Sequence, residues 1–153
     1  MTKKQTYLLA LISAFLMWLA WPPHNWLAPI LLVGLVPLFI ALNQIINKKE
    51  TKTGKKVFLT AGLTFLVWNT ASIYWVFNSI NAVNTGVVGT IISLLVSLIP
   101  YCLGAFLMTS GFWLYYRLSN YTNKYVSYLG LISFYVALEY LHESWDLAFP
   151  WMT

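Results

Sequence analysis

Apolar residues gather in five long runs along this chain, and the polar residues fall almost wholly in the short segments between them. A helix that crosses the hydrocarbon of a membrane needs about 20 largely apolar residues. Five runs meet or approach that length, at residues 4–21, 27–42, 57–80, 87–116 and 125–141. Pro22-Pro23 ends the first, because two successive residues without a backbone donor cannot continue a helix, so the first two runs form a tight hairpin, either two spans or a re-entrant pair, and both geometries return the chain to the side it came from. The segment 43–56 is polar and contains Gly54, which marks a connector. The run 57–80 is long enough to span with tilt. The run 87–116 exceeds the hydrocarbon thickness and holds Pro100 near its middle. Splitting it there would require a turn with almost no polar residues and would send Arg117 and Lys124 across the membrane. It is therefore expected as one helix, kinked at Pro100. The pattern predicts an all-α integral membrane protein of about five transmembrane helices, a single helical domain over residues 1–153.

Charge gives the runs a direction. All nine Lys and Arg residues lie in three stretches: Lys3-Lys4; Lys48, Lys49, Lys52, Lys55 and Lys56; and Arg117 with Lys124. The turns at 21–26 and 81–86, and the tail from His142 to Thr153, contain none. Basic loops stay cytoplasmic, so the segments alternate inside and outside without a violation, with a cytoplasmic N-terminus and an outward tail. Tryptophans and tyrosines cluster where this scheme puts the interfaces: Trp18, Trp21, Trp26, Trp75, Trp145 and Trp151 outside, and Trp113, Tyr115, Tyr116 and Tyr121 inside. Trp68 and Asn69 fall within a span and are expected to face other helices rather than lipid.

Composition adds one restriction. Hydrophobic residues make up 59% of the chain, charged residues 8%, and mean hydropathy is +0.69. Soluble domains carry about 25% charge, so this chain lacks the polar surface to live in water. The net charge of +5 sits in loops beside membrane ends, where lipid headgroups and orientation account for it without nucleic acid. Residues 7–21 resemble a signal peptide in hydropathy, but Trp18 occupies a position where cleavage needs a small side chain, so the segment is expected to stay as an anchor.

Candidate chemistry is sparse. Glu139, His142, Glu143 and Asp146 share helical spacing at the end of the last run. One Glu-x-x-His copy is too few for a di-metal site, so they are read as a polar helix end, with no metal expected. Glu139 lies deepest, beside Leu138 and Tyr140, where an ionisable group is costly without a partner. Cys102 is the single cysteine, so no internal disulfide or zinc cluster is expected from this chain alone. No His, Lys or Arg lies within a turn of it, and it is read as a small buried hydrophobe rather than a nucleophile. Both histidines, His24 and His142, are in outer segments, and no phosphate or dinucleotide loop appears. No catalytic residue and no cofactor are expected.

Ala137-Leu138-Glu139-Tyr140-Leu141 followed by Phe149-Pro150-Trp151 resembles a signature of the bacterial apolipoprotein N-acyltransferases. Leu19-Ala20-Trp21-Pro22-Pro23 is similar to the exit of that family's first hairpin, and Tyr74-Trp75 to a Tyr-Trp near the outer end of its third helix. The resemblance implies the membrane portion of an enzyme of lipoprotein biosynthesis, multi-pass in the bacterial inner membrane with its C-terminal end periplasmic. That enzyme transfers a fatty acyl chain from a phospholipid to the N-terminal diacylglyceryl-cysteine of a lipoprotein, which implies these two lipid partners. In the family the chemistry belongs to a nitrilase-like domain with a Glu, Lys, Cys triad. No position up to Thr153 receives that triad, so the chain is expected to be inactive by itself. The resemblance places Trp75, Glu139, Phe149, Pro150 and Trp151 near the opening through which lipid reaches the site. Rival readings are a small non-enzymatic membrane protein, a transporter or assembly subunit, with Asn69 and Pro100 as the hints of a transporter, and a scaffold that pairs with a separately encoded catalytic domain.

Overall fold

In the computed structural model, which describes residues 2–21, 25–48, 51–83 and 86–144, with backbone alone at Asn25, His142 and Glu143, all regular structure is helical. The first helix, α1 (Lys3–Leu19), is started by a capping box: the Thr2 hydroxyl accepts from the Gln5 amide at 3.3 Å, and the Gln5 side chain accepts from the Thr2 amide at 2.8 Å. The chain returns through a 3-10 turn over Asn25–Ile30, which contains Pro29, into α2 (Leu31–Gly34) and α3 (Val36–Asn47). The return limb thus runs five residues beyond the predicted end at 42, and it is entered by a 3-10 turn rather than a regular helix. The Ser13 hydroxyl donates to the Gly34 carbonyl, tying the hairpin together. A side chain at Gly34 would press on Met17, its Cβ lying 3.2 Å from Met17 Cγ.

Beyond the connector, α4 (Thr53–Ser72) begins at Lys52, which holds a left-handed φ of 64° and provides no side-chain cap. The expected single helix over 57–80 is interrupted. The chain leaves helical geometry at Ile73 (φ −112°, ψ 25°) and resumes as α5 (Trp75–Val83), bent by 50°. Neither proline nor glycine causes the break. In the last two turns of α4, Asn69 Nδ2 donates to the Phe65 carbonyl and Thr70 Oγ1 to the Leu66 carbonyl, each at 2.8 Å. Such back-bonding competes with the helical ladder and bends helices. On the far side of the break, the Phe77 amide donates to the Tyr74 carbonyl at 3.1 Å and also lies 3.3 Å from the Tyr101 hydroxyl, a second acceptor supplied by the neighbouring helix.

The longest element, α6 (Gly86–Ser119), passes through Pro100 without ending, as expected. Its 34 residues extend about 50 Å at about 1.5 Å per residue, more than the roughly 30 Å of hydrocarbon. A short turn leads to α7 (Lys124–Glu143), capped by Asn123, whose side chain accepts from the Val126 amide at 3.0 Å.

Helix α6 is the spine, with α4, α5 and α7 packed on it and α1 and α3 packed on α4. The Phe112 ring sits at the centre, 5.4 Å from those of Phe39 and Phe65 and 6.0 Å from that of Tyr135. Around it lie Leu38, Leu42, Val57 and Ala61, all fully buried. Much of the remaining interior is hydroxyl and glycine. Thr64 donates to the Ala10 carbonyl at 3.0 Å and Thr109 to the Ala105 carbonyl at 2.6 Å, while Gly62 lies against Thr109. Small residues let backbones approach, which matters where lipid tails are as apolar as the core and burial drives little association. The outer surface is correspondingly apolar: Leu32, Val83, Val87 and Ile99 are among its most exposed side chains.

Trp26–Asn47 and α6 are each long and apolar enough to cross a membrane, and α4 with α5 makes a third if the bent pair counts as one span. Trp68 and Asn69 are buried between helices, as expected. Cys102 is not. It is exposed on α6, because the face of that helix next to Tyr101 turns away from α4 and α5, so its reading as a buried hydrophobe fails.

Glycine packing gives the first prediction. A Cβ at Gly111 would lie 2.7 Å from Tyr135 and 3.0 Å from Phe134, whereas one at Gly62 would meet Thr109 at an ordinary 3.7 Å. Both substitutions gain the same helix propensity, so Gly111→Ala should be less stable than Gly62→Ala by about 1–3 kcal/mol in detergent unfolding. Because the Phe77 amide keeps the Tyr74 carbonyl, Tyr101→Phe should cost no more than about 0.5–1 kcal/mol and raise hydrogen exchange at that amide, with Tyr135→Phe leaving it unchanged.

Candidate functional site

The direction of each helix follows from a handful of contacts. Lys3, Lys48 and Lys56 border one cavity, so α1 and α4 start where α3 finishes. Gly54 lies against Trp113 and Tyr116, and the Arg117 guanidinium stands 5.4 Å over the Trp113 ring, so α6 also finishes at that end and α7 starts there. The described cations therefore occupy one end of the bundle. At the other end, Trp21, just past α1, meets Trp68 edge to face at 5.3 Å, and the α4–α5 break follows one turn later.

Two residues expected near a lipid opening are described, and both belong to this far end. Trp75 is the first residue of α5, immediately after the break, and is 37% exposed. Glu139 lies in the last turns of α7 and is exposed. Its height can be counted along α6. Tyr135 donates to the Met108 carbonyl at 2.8 Å and rests on Gly111, and the two helices run antiparallel. One turn further, Glu139 stands at about the level of residues 104–108. Those residues meet Asn69 from the other side: Asn69 Nδ2 is 3.8 Å from Met108 Sδ, and its Oδ1 points at Gly104. Glu139 is therefore about level with Asn69, one turn short of the α4–α5 break, and faces outward.

Trp75 and Glu139 are not brought into one cluster. Helices α5 and α7 each pack on α6 and share no extensive contact among the described residues. Phe149, Pro150 and Trp151 lie outside the described residues, as does Asp146. Among the described residues no group of three His, Cys, Asp or Glu side chains is placed to hold a metal ion.

The structure adds buried polar groups that sequence reasoning passed over. Trp68 Nε1, Asn69 Oδ1 and Ser72 Oγ are all buried and lack a hydrogen-bond partner, and they fall within the last two turns of α4. Tyr101 closes the same region from α6 through its contact with Phe77 and its packing on Ile73 and Val76. Tyr101 is the sole tyrosine of the 87–114 stretch and follows Pro100, a signal that was present but attached to no partner until the break was seen. This assembly holds and orients; it contains no paired nucleophile and base. Its chemistry is that of a hydrogen-bonding seam beside an exposed apolar surface formed by Val87, Ile91, Leu95 and Ile99.

Comparison with known proteins places these features. Residues 13–153 match the family described as the apolipoprotein N-acyltransferase N-terminal domain. The apolipoprotein N-acyltransferase of Borreliella burgdorferi (strain B31) is 34% identical over 121 residues, a region that is 78% of this chain and 19% of that protein. The matched region is thus about a fifth of that relative's length. No solved structure matches. A bundle of apolar helices with its described cations at one end, matched over nearly its whole length, belongs to the apolipoprotein N-acyltransferase family through that family's N-terminal domain.

Proposed function

We propose that this chain is the membrane portion of an enzyme that moves a fatty acyl chain from a phospholipid to the N-terminal diacylglyceryl-cysteine of a lipoprotein. It works as a multi-pass protein of the bacterial inner membrane, with the cationic end cytoplasmic and the Trp75–Glu139 end periplasmic. The observation that carries this reading is the family match over residues 13–153, on a bundle whose two ends differ so sharply in charge. Both lipids of such a reaction arrive sideways within the membrane. A helical base serves it by fixing the reacting groups at the right depth and leaving an apolar path to them, since correct placement of two reactants supplies much of the rate.

Trp75, Glu139, Phe149, Pro150 and Trp151 are proposed to border that path. The exposed indole of Trp75, next to a bend, suits a residue that guides an acyl chain, and the outward carboxylate of Glu139 suits one that meets a polar headgroup or amine. Cys102 has no part: it is exposed on α6, with no His, Lys or Arg within a turn of sequence to make a thiolate.

The test uses the complete product of the reading frame that contains this chain, assayed for acyl transfer to a diacylglyceryl-peptide in detergent micelles. Trp75→Ala and Glu139→Gln are each expected to lower kcat/KM at least about tenfold, a loss of roughly 1.4 kcal/mol of transition-state stabilisation. Cys102→Ser should leave transfer unchanged. Full activity in both the Trp75 and Glu139 variants would remove them from the path, and no transfer by the unsubstituted protein would overturn the function.

A further inference from the structure

We propose that the seam where the α4–α5 break meets α6 is a binding site for ordered water inside the membrane span, a site that the acyltransferase reading does not use. Among the described residues, the buried side-chain atoms without a hydrogen-bond partner are Trp68 Nε1, Asn69 Oδ1, Ser72 Oγ and Asn81 Oδ1. All four lie between the last two turns of α4 and the end of α5, in the half of the bundle away from the described cations. The other half is different. There the buried hydroxyls of Thr64 and Thr109 donate to carbonyls, and Tyr115 donates to the Asn43 amide oxygen.

The unpartnered groups converge. Trp68, Asn69 and Ser72 fall on one side of α4, with Ser72 a turn further along and, in bearing, between the other two. Each of these three residues is more than nine-tenths buried, so bulk solvent does not satisfy it. On α6, Ser93, Ser97 and Tyr101 recur every fourth residue, all buried, and Tyr101 turns this face toward Ile73 and Val76 at the break. Ser93 donates to the Gly89 carbonyl and Ser97 to the Leu94 carbonyl, which leaves each hydroxyl oxygen able to accept.

The mixture of groups selects the ligand. The indole N–H is a donor, the two asparagine oxygens are acceptors and the Ser72 hydroxyl is both. A cation would suit the oxygens alone and an anion the indole alone, whereas water serves them all, and a buried water makes about three such bonds. The backbone points the same way. The break interrupts a membrane span, and non-helical backbone persists at that depth where it is buried in protein or lines water. Opposite it α6 has Gly104, where a Cβ would stand 2.9 Å from Asn69 Oδ1, so the amide oxygen keeps its clearance.

Nuclear magnetic resonance of the isotope-labelled full chain in detergent micelles reads the site, through dipolar magnetisation transfer from water to the Trp68 indole proton. Transfer is expected to exceed that at the backbone amides of Leu38 and Leu42, in the apolar core, at least about fivefold. It should persist in Ser72→Ala, where the neighbouring hydroxyl proton can no longer relay it, with Ser72→Gly removing the same proton if alanine unfolds the chain. Transfer from detergent acyl protons in place of water would show lipid in the seam and overturn the proposal. So would transfer no stronger than at Leu38 and Leu42, transfer lost with the Ser72 hydroxyl in a folded variant, or transfer by proton exchange alone, which would report fleeting access instead of a held molecule.

Discussion

A lysine or arginine cannot be left in hydrocarbon without a cost of about 2.5–3.5 kcal/mol on insertion scales, and the architecture follows from where this chain puts its nine. Helices α1, α4 and α7 begin at the cationic end, and α3 and α6 finish there. Three of these lysines meet around one cavity, and Arg117 rests on Trp113 beside Gly54. Because the described cations are confined to one end, the helices between them can be almost wholly apolar, and every second turn must return the chain. The hairpin tied by Ser13 and Gly34 and the antiparallel seam of α6 and α7 are consequences of that alternation.

What holds the helices together is different from what places them. The outer surface is as apolar as the interior, so burial alone selects no particular packing. Selectivity comes from shape and from short polar contacts. Gly111 admits Tyr135, Gly104 admits Asn69, and threonine hydroxyls bond to carbonyls of their own or the next helix. The same economy of polar groups explains the α4–α5 break. Asn69 and Thr70 spend their donors on the helix that bears them, the ladder loosens, and Tyr101 receives the amide on the other side. The break therefore lies where three buried polar atoms, on Trp68, Asn69 and Ser72, are without partners, next to Trp75.

Hydropathy and charge made the helical class, the return of the chain after α1 and the continuity of α6 through Pro100 legible, because each rests on local chemistry. The break at Ile73 was not legible, since its causes are side-chain bonds along α4 and a tyrosine on another helix, with no proline or glycine to mark them. Cys102 was misread for a related reason: the apolar run around it has no polar stripe, so its sequence does not say which face of α6 is covered. Glu139, an ionisable group near hydrocarbon, and Trp75, an aromatic at interface depth, were flagged by position, and only the resemblance joined them to a lipid opening. The structure gives their heights and exposures, which no periodicity could supply.

The central claim is that the basic turns lie at one end and the end of α7 at the other, on opposite sides of a membrane. Single cysteines placed in a Cys102→Ser background at Thr51, Asn120 and Ser144, and challenged in spheroplasts with a maleimide that cannot cross the membrane, test it directly. The account predicts labelling at Ser144 in intact spheroplasts, and at Thr51 and Asn120 only after lysis. Labelling of Thr51 or Asn120 together with Ser144 in intact spheroplasts would contradict it.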